Sequence, residues 1–377
     1  MPAYPSLAYL GIGMEHARLI PRIRPLAAVW LVPFFALMAA CGKPTPFGEA
    51  NSLIIVAPDS VWIQVEEATY EALEQTFVTT RPEKKFVVTQ VDPSSPDFAK
   101  LRMWWQVIVF GTPDDPLIQR VAQAAGLADV TAPSVLQAED IWARGQLVTA
   151  VVLEPGRELQ SWLAQLTEVY ELIDEGFRRY VHGRMFVTGP DTLIADSLSR
   201  AYGFTLTVPV VYRLTVDHNL VMLRNDNPDP SELIRSVLVA WRPRVDSLTP
   251  ELAYEWRAAI DSVYYTVPQS IDVSVGAVRR FELNGREGLE ATGTWADEAV
   301  GDDYFPAGGP FITWLVQCPE RTFFLDAWLY APRRSKYMYV LQMRDILSSF
   351  SCGSGPDPIA ARGRSGSDRE ELRTGSS

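Results

Sequence analysis

Cys41 is the residue whose neighbours specify a reaction most narrowly. It closes the stretch Leu26 to Cys41, LAAVWLVPFFALMAAC, which follows Arg18, Arg22 and Arg24. A basic flank, an apolar core and small residues before a cysteine are the layout of a lipoprotein export signal, in which the thiol is joined to diacylglycerol and the chain is cut just before it. Met38-Ala39-Ala40-Cys41 fits that cleavage box, with Met where Leu is usual. The core is shorter than the ~20 apolar residues of a spanning helix and contains Pro33. The expectation is a signal peptide over residues 1–40, starting at Met1 or Met14, with Cys41 the lipidated mature N-terminus. Two or three acyl chains such as palmitate, at ~0.8 kcal/mol per buried methylene, would hold such a protein on a membrane. Gly42, where an Asp would favour inner-membrane retention, points to the outer membrane, facing the periplasm.

Cys318 and Cys352 remain. An exported compartment is oxidising enough to join them. Phe311 to Gln317 and Thr322 to Tyr330 read as a hairpin turning at Cys318, and a helix over Ser335 to Phe350 travels back far enough to bring Cys352 near it. A Cys318–Cys352 disulfide and two partly buried thiols are the two readings. A redox pair would need a CxxC spacing that the chain lacks.

Acid–base and metal chemistry find few candidates. Beyond the signal the only histidines are His182, read as a helix cap beside Gly183, and His218, read as a turn residue. No HExxH, GxSxG or Walker-A spacing occurs. Gly111-Thr-Pro-Asp-Asp-Pro116 could hold an anion on backbone amides, but its two acids oppose that and helix capping is the better reading. Asn225-Asp-Asn-Pro-Asp-Pro-Ser-Glu232 offers calcium-type oxygens without the glycine of an EF-hand, and reads as an Asx-rich turn. Asp114, Asp302 and Asp303 are the remaining acids for a hydrolytic pair. Trp104-Trp105, Trp241, Tyr264-Tyr265, Trp295 and Trp314 could stack on sugars, although most should be core; one of Tyr264 and Tyr265 should face water if they lie on a strand. No catalytic residue, metal ligand or cofactor is assigned.

The elements that must position these residues fall into two styles. Residues 42–51, with Pro44, Pro46 and Gly48, read as a linker. From Ser52, strands at Leu53 to Val56, Lys85 to Val91, Gln106 to Phe110 and Leu147 to Leu153 alternate with helices. One helix carries Trp62, Val65, Thr69, Leu73 and Phe77 on a face, another Leu117, Val121 and Ala124, and a long one Leu159, Trp162, Leu166, Val169, Ile173 and Phe177. From Phe204 short strands dominate, with tight turns at Asp217-His218-Asn219 and Asn284-Gly285. Thr249-Pro250-Glu251 opens a helix whose buried face is expected at Leu252, Trp256, Ala259 and Val263. The fold class is therefore α+β (mixed α/β): an α/β lobe over residues 52–203, an antiparallel lobe packed by helices over 204–352, and a tail over 353–377 too polar to fold. The chain has 11 Trp, 14 Tyr and 16 Phe, enough for one large core or two modest ones.

The net charge is −12, and residues 1–41 remove three arginines and one glutamate, leaving −14. Such a surface repels phosphate backbones, so nucleic acid is not an expected partner.

Five segments, Asn51-Ser-Leu-Ile-Ile-Val-Ala-Pro-Asp-Ser-Val-Trp62, Val208-Pro-Val-Val-Tyr-Arg-Leu214, Phe281-Glu-Leu-Asn-Gly-Arg286, Gly308-Gly-Pro-Phe311 and Ala327-Trp-Leu-Tyr-Ala-Pro332, together resemble a family of bacterial envelope lipoproteins of unknown function, domain of unknown function family 4837. The resemblance spans Asn51 to Phe350. It implies the lipoprotein address and a mixed α/β body, transfers no functional residue, and does not lead one to expect Cys318 or Cys352. The expected function is a lipid-anchored cell-envelope protein with a non-catalytic binding or support role toward an envelope protein or glycan. An envelope hydrolase acting on glycan or peptide and a subunit of an outer-membrane assembly are the alternatives.

Overall fold

The computed structural model describes residues 42–353, except Thr266 and residues 299–306. Cys41, the signal segment, Asp302, Asp303 and the tail beyond Gly353 lie outside the described residues.

The chain first runs through β1 (Ser52–Val56), α1 (Asp59–Leu73), the small hairpin of β2 (Thr76–Val78) and β3 (Pro82–Lys84), and β4 (Val87–Val91). The one-turn α2 (Phe98–Leu101), β5 (Gln106–Gly111), α3 (Pro116–Ala124), β6 (Ser134–Glu139), β7 (Leu147–Val152) and α4 (Glu158–Met185) follow. Five strands form a sheet in the order β4-β1-β5-β7-β6, parallel except for the antiparallel edge β6. β5 and β7 are buried along their whole length, as central strands covered on both faces must be. On one face α1 and α4 set Trp62, Val65, Trp162 and Phe177 against Leu53, Ile55, Ile108 and Phe110. On the other, α3 packs Ile118 and Val121 on Ile54, Val107 and Val109. Asp115 caps α3 as expected, its carboxylate accepting from Leu117 N at 2.7 Å. The helix faces shift slightly from expectation: α1 ends at Leu73, so Phe77 sits on β2, and Ala124 is exposed while Ile118 and Ala122 are buried.

The segment read as linker lies along this sheet from Pro44 onward. Pro44 O accepts from Arg144 N at 2.8 Å, and Phe47 packs edge-on to Trp104 at 4.6 Å. Gly48 passes so close to the Trp104 indole, with φ +102°, that a side chain there would collide with the ring.

The remaining elements are α5 (Thr192–Tyr202), β8 (Phe204–Thr205), β9 (Arg213–Asp217), β10 (Leu220–Asn225), β11 (Ile234–Pro243), α6 (Pro250–Tyr264) and β12 (Gln269–Asp272). β13 (Val278–Leu283), β14 (Arg286–Asp297), β15 (Gly308–Gln317), β16 (Arg321–Tyr330), α7 (Tyr337–Ser348) and β17 (Ser351–Cys352) complete the described chain. Eight of these strands form an antiparallel sheet, β12-β14-β15-β16-β11-β10-β9, with β13 also on β14. Its tight turns are those read from sequence: Asn284 and Gly285 take φ +51° and +74°, the pair of positive angles a two-residue hairpin loop demands. α5 and α7 cover one face through Leu198, Met343, Ile346 and Leu347, and α6 covers the other. The class is mixed α/β with an antiparallel C-terminal sheet.

The α6 face departs from the apolar stripe expected. Ala253, Arg257, Ile260 and Asp261 are buried, whereas Val263 is 70% exposed. The cause is charge buried in the sheet. Asp326 on β16 points under the helix, accepts from Thr313 Oγ1 at 2.5 Å, and draws in the Arg257 guanidinium, Nε at 3.4 Å. Arg257 also donates to Gln269 Oε1 at 3.3 Å and lies over the Phe311 ring at 4.4 Å.

α7 joins the two sheets. Its Tyr337 and Leu341 enter the core between the parallel sheet and α4, while Tyr339, Met343 and Ile346 enter the core of the antiparallel sheet. Both cores use one helix because its buried residues cover two faces.

Candidate functional site

The stripe of α7 left between those two cores carries Val340 and Arg344, four residues apart and therefore on one face. It forms one wall of a cleft of about 620 Å³, within the range of small-molecule sites. β13, β14 and β15 supply Arg279, Thr292 and Ile312; the β2–β3 hairpin and the residue after it supply Phe77 and Lys85; α4 supplies Arg178. Among the described residues, four cationic side chains line it and no carboxylate does. In a chain with 46 acidic against 34 basic residues, that segregation needs a physical cause.

Part of the cause lies one layer beneath. Arg279, Glu290 and Trp314 face one another across three neighbouring strands, β13, β14 and β15. Glu290, 3% exposed, accepts two hydrogen bonds from Arg279 at 2.9 and 3.2 Å, two from Arg344 at 2.5 and 3.1 Å, and one from Trp314 Nε1 at 2.7 Å. Burial by itself would raise this carboxyl; the bonds from Arg279 and then Arg344, with the Arg344 charge and Trp314, overcome that and hold it at about 2. Two guanidiniums thus share one carboxylate, leaving one positive charge in surplus on this wall.

The opposite wall is built on α4. Arg178 Nε donates to Asp174 Oδ2 at 2.7 Å, and the Tyr337 hydroxyl donates to Asp174 Oδ1 at 2.8 Å. Burial and the bond to Asp174 push the Tyr337 hydroxyl far above the ordinary phenol range, so it remains a neutral donor. Lys85 Nζ donates to Gln75 Oε1 at 3.0 Å and to Tyr170 OH at 3.2 Å, and among the described residues no carboxylate lies within ion-pair distance of it. The cleft carries a second surplus charge there.

The hairpin that contributes Phe77 is latched in place. Lys336, 4% exposed at the start of α7, donates from Nζ to Glu83 Oε1 at 2.6 Å and from its backbone N to Glu83 Oε2 at 2.9 Å. At the rim the loop between β12 and β13 presses close: Gly276 sits where a Cβ would strike Thr292 O, and Val275 stands 40% exposed beside the opening.

A larger concavity, about 890 Å³, lies among Glu49, Asn51, Glu232, Arg333, Arg334 and Tyr339. Its charges offset one another, Arg334 donating to Glu232 at 2.6 Å, so it lacks the cleft's one-sided electrostatics.

The residues singled out from sequence do not converge on the cleft. Cys318, in the turn between β15 and β16, and Cys352 on β17 are bonded, with Cα atoms 5.9 Å apart. His182 is not a cap: α4 continues through Gly183 to Met185, and the imidazole meets Asp345 at 3.3 Å on the surface. His218 holds the β9–β10 turn at φ +49°. Asp114 is exposed in the turn before α3. In the 225–232 stretch, Asn225 and Asp229 cap their own backbone, Asp226 faces Arg213 and Arg224, and no metal-type cluster occurs among the described residues. Trp105, Trp241, Trp295 and Trp314 are core residues. Tyr264 ends α6 instead of lying on a strand and donates to Asp217, while the Tyr265 hydroxyl accepts from Trp328 Nε1 at 2.6 Å. Sequence reading missed Lys85, Arg178, Arg279 and Arg344. The one local clue was the positively charged Arg279-Arg280 pair opposite Glu287 and Glu290 across a recognisable Asn-Gly turn.

Residues 191–349 match the family model described as Domain of unknown function (DUF4837). This is the family that the segments between Asn51 and Phe350 resemble, and the match covers the C-terminal part of that span. No curated protein matches the chain. Among solved structures, a cyanobacterial PsbP protein from Synechocystis sp. is similar at 11% identity over 40% of this chain and 86% of that one, with a TM-score of 0.28. The Saccharomyces cerevisiae Ran-binding protein Mog1p is similar at 14% identity, over 40% of this chain and 90% of its own, with a TM-score of 0.27. A Bacteroides thetaiotaomicron protein is similar at 6% identity over 41% and 47%, with a TM-score of 0.24. At these scores none of the likenesses carries an argument about function.

Proposed function

We propose that the chain is a lipid-anchored envelope protein that holds an anionic ligand in the cleft between α4, α7 and β13, and does not transform it. The observation that carries this reading is the segregation of four cations, without a lining carboxylate among the described residues, in a protein whose net charge is −12. Such a cleft concentrates field lines and draws an anion past an acidic surface. Its walls are preorganised, because Glu290 fixes two of the guanidiniums and Asp174 a third before any ligand arrives. Two carboxylates flanking a bond, as glycoside hydrolysis requires, are absent from its lining among the described residues. Cys41 supports the envelope placement through its motif, and Gly42 the outer membrane.

Calorimetric titration tests the reading. The mature lipidated chain in phosphatidylcholine nanodiscs, with empty discs as the reference, should bind octanoate at one site and fail to bind octyltrimethylammonium there. Equal affinity for the cationic amphiphile, or no binding of the anion, would contradict it.

A further inference from the structure

We infer that the ligand is a phosphate monoester bearing an apolar chain, bound with its phosphate between the two cationic walls and its chain along Phe77, Ile312, Val340 and Leu341. This rests on the anion-binding reading of the same cleft and narrows it to one chemistry.

Charge comes first. Among the described residues, Arg279 and Arg344 have one carboxylate between them and Lys85 has only neutral partners, so the cleft carries two surplus positive charges. A carboxylate ligand would neutralise one. A phosphate monoester, with roughly −1.5 to −2 charges at neutral pH, matches both.

Donor geometry agrees. Each guanidinium spends two of its N–H groups on Glu290. Of the five donors that an arginine presents in a fixed fork, about three remain on each. Forked donors suit the several acceptor oxygens of a phosphate, and Lys85 adds a compact point charge from the other wall.

Size and polarity supply the chain. A bare oxyanion occupies a few times the ~30 Å³ of a water molecule, which would leave most of the 620 Å³ to solvent. Much of the remaining lining is apolar, with Phe77, Ile312, Val340 and Leu341 in it and Val275 at the rim, beside Thr76, Thr292 and Tyr337. Sites for small molecules combine such a wall with a few placed charges.

The same nanodisc calorimetry decides among the sources of this chemistry, with octyl phosphate, octanoate and inorganic phosphate as probes. Octyl phosphate should bind one to one, about tenfold or more tighter than either of the others, because each lacks one half of the match. Its affinity should fall between pH 7.5 and 5.5 as the phosphate takes up its second proton, near pH ~6, while octanoate is unaffected over that range. Lys85→Met should cost octyl phosphate about tenfold; should that variant fail to fold, Arg178→Gln at a solvent-facing position carries the same test. Octanoate binding as tightly as octyl phosphate would overturn the inference and leave the anion reading intact. Inorganic phosphate binding as tightly would overturn the apolar-chain half of it. Unchanged affinity in both variants would overturn the site, and failure of every anion to bind would overturn this inference and the proposed function together.

Discussion

Arg344 on α7 donates to Glu290 on β14 at 2.5 Å, joining residues 54 apart in sequence, and in doing so sets the last helix against the strand that floors the cleft. The same carboxylate binds Arg279 on the neighbouring strand. One buried acid therefore positions two of the four cations on which the functional reading depends.

Glu290 should accordingly govern both stability and its pH dependence. Its folded-state value of about 2 lies below the ordinary 4.5, so its contribution is fully present above pH 4.5 and is lost as pH falls through that window toward 2. At 1.36 kcal/mol per unit the upper bound is about 3 kcal/mol, reduced by solvent around Arg279. Urea unfolding of Glu290→Gln should show a loss of about 2 kcal/mol at pH 7 that shrinks toward zero near pH 2. A loss of equal size at every pH would contradict the assignment.

The buried pair of Lys336 with Glu83 should act as a latch on the β2–β3 hairpin. Removing one partner leaves an uncompensated buried charge, at a cost of about 3 kcal/mol. Hydrogen exchange on Lys336→Met should rise at residues 76–84 well above the rest of the body. Uniform exchange across the molecule would show that the pair serves global stability alone.

Cys318 and Cys352 close a loop with a sequence separation of 34 residues. Loop-closure entropy for that length gives about 4 kcal/mol of stabilisation. Non-reducing mass spectrometry should recover the two cysteines as a linked peptide pair, and a reducing agent should lower the unfolding midpoint. Two freely alkylated thiols in the native protein would contradict the bridge.

Cys41→Ala should move the protein from the membrane fraction to the soluble fraction, because the lipid is the only attachment the reading supplies. No helix among the described residues is long and apolar enough to cross a membrane. Persistent sedimentation of the variant with membranes would remove the anchor.

Local pattern made much of the fold legible. The Asn284-Gly285 turn, the Thr249 cap and the Asp115 cap could all be read because each depends on a few consecutive residues. Other elements were not legible. β6 was missed because an antiparallel edge strand, Ser134–Glu139, is short and only partly buried, and its adjacent Val135 and Leu136 break the alternation that Leu136 to Glu139 begins. α5 was missed because Leu198 is its one fully covered residue. The face of α6 was misread for a different reason: apolar periodicity assumes an apolar core, and here Arg257 turns inward to meet Asp326. The cleft was invisible for a third reason. Its cations come from residues 85, 178, 279 and 344, which only the packing of α4 and α7 against the antiparallel sheet brings together.

Chemical-shift mapping would locate a bound anion on the chain. Octanoate titrated into isotope-labelled mature protein in phosphatidylcholine nanodiscs should shift backbone resonances of residues 76–85, 275–280, 290–293 and 337–344 and leave those around Arg333 and Arg334 unmoved. Shifts gathered at Arg333 and Arg334, or spread without focus over the surface, would contradict the account.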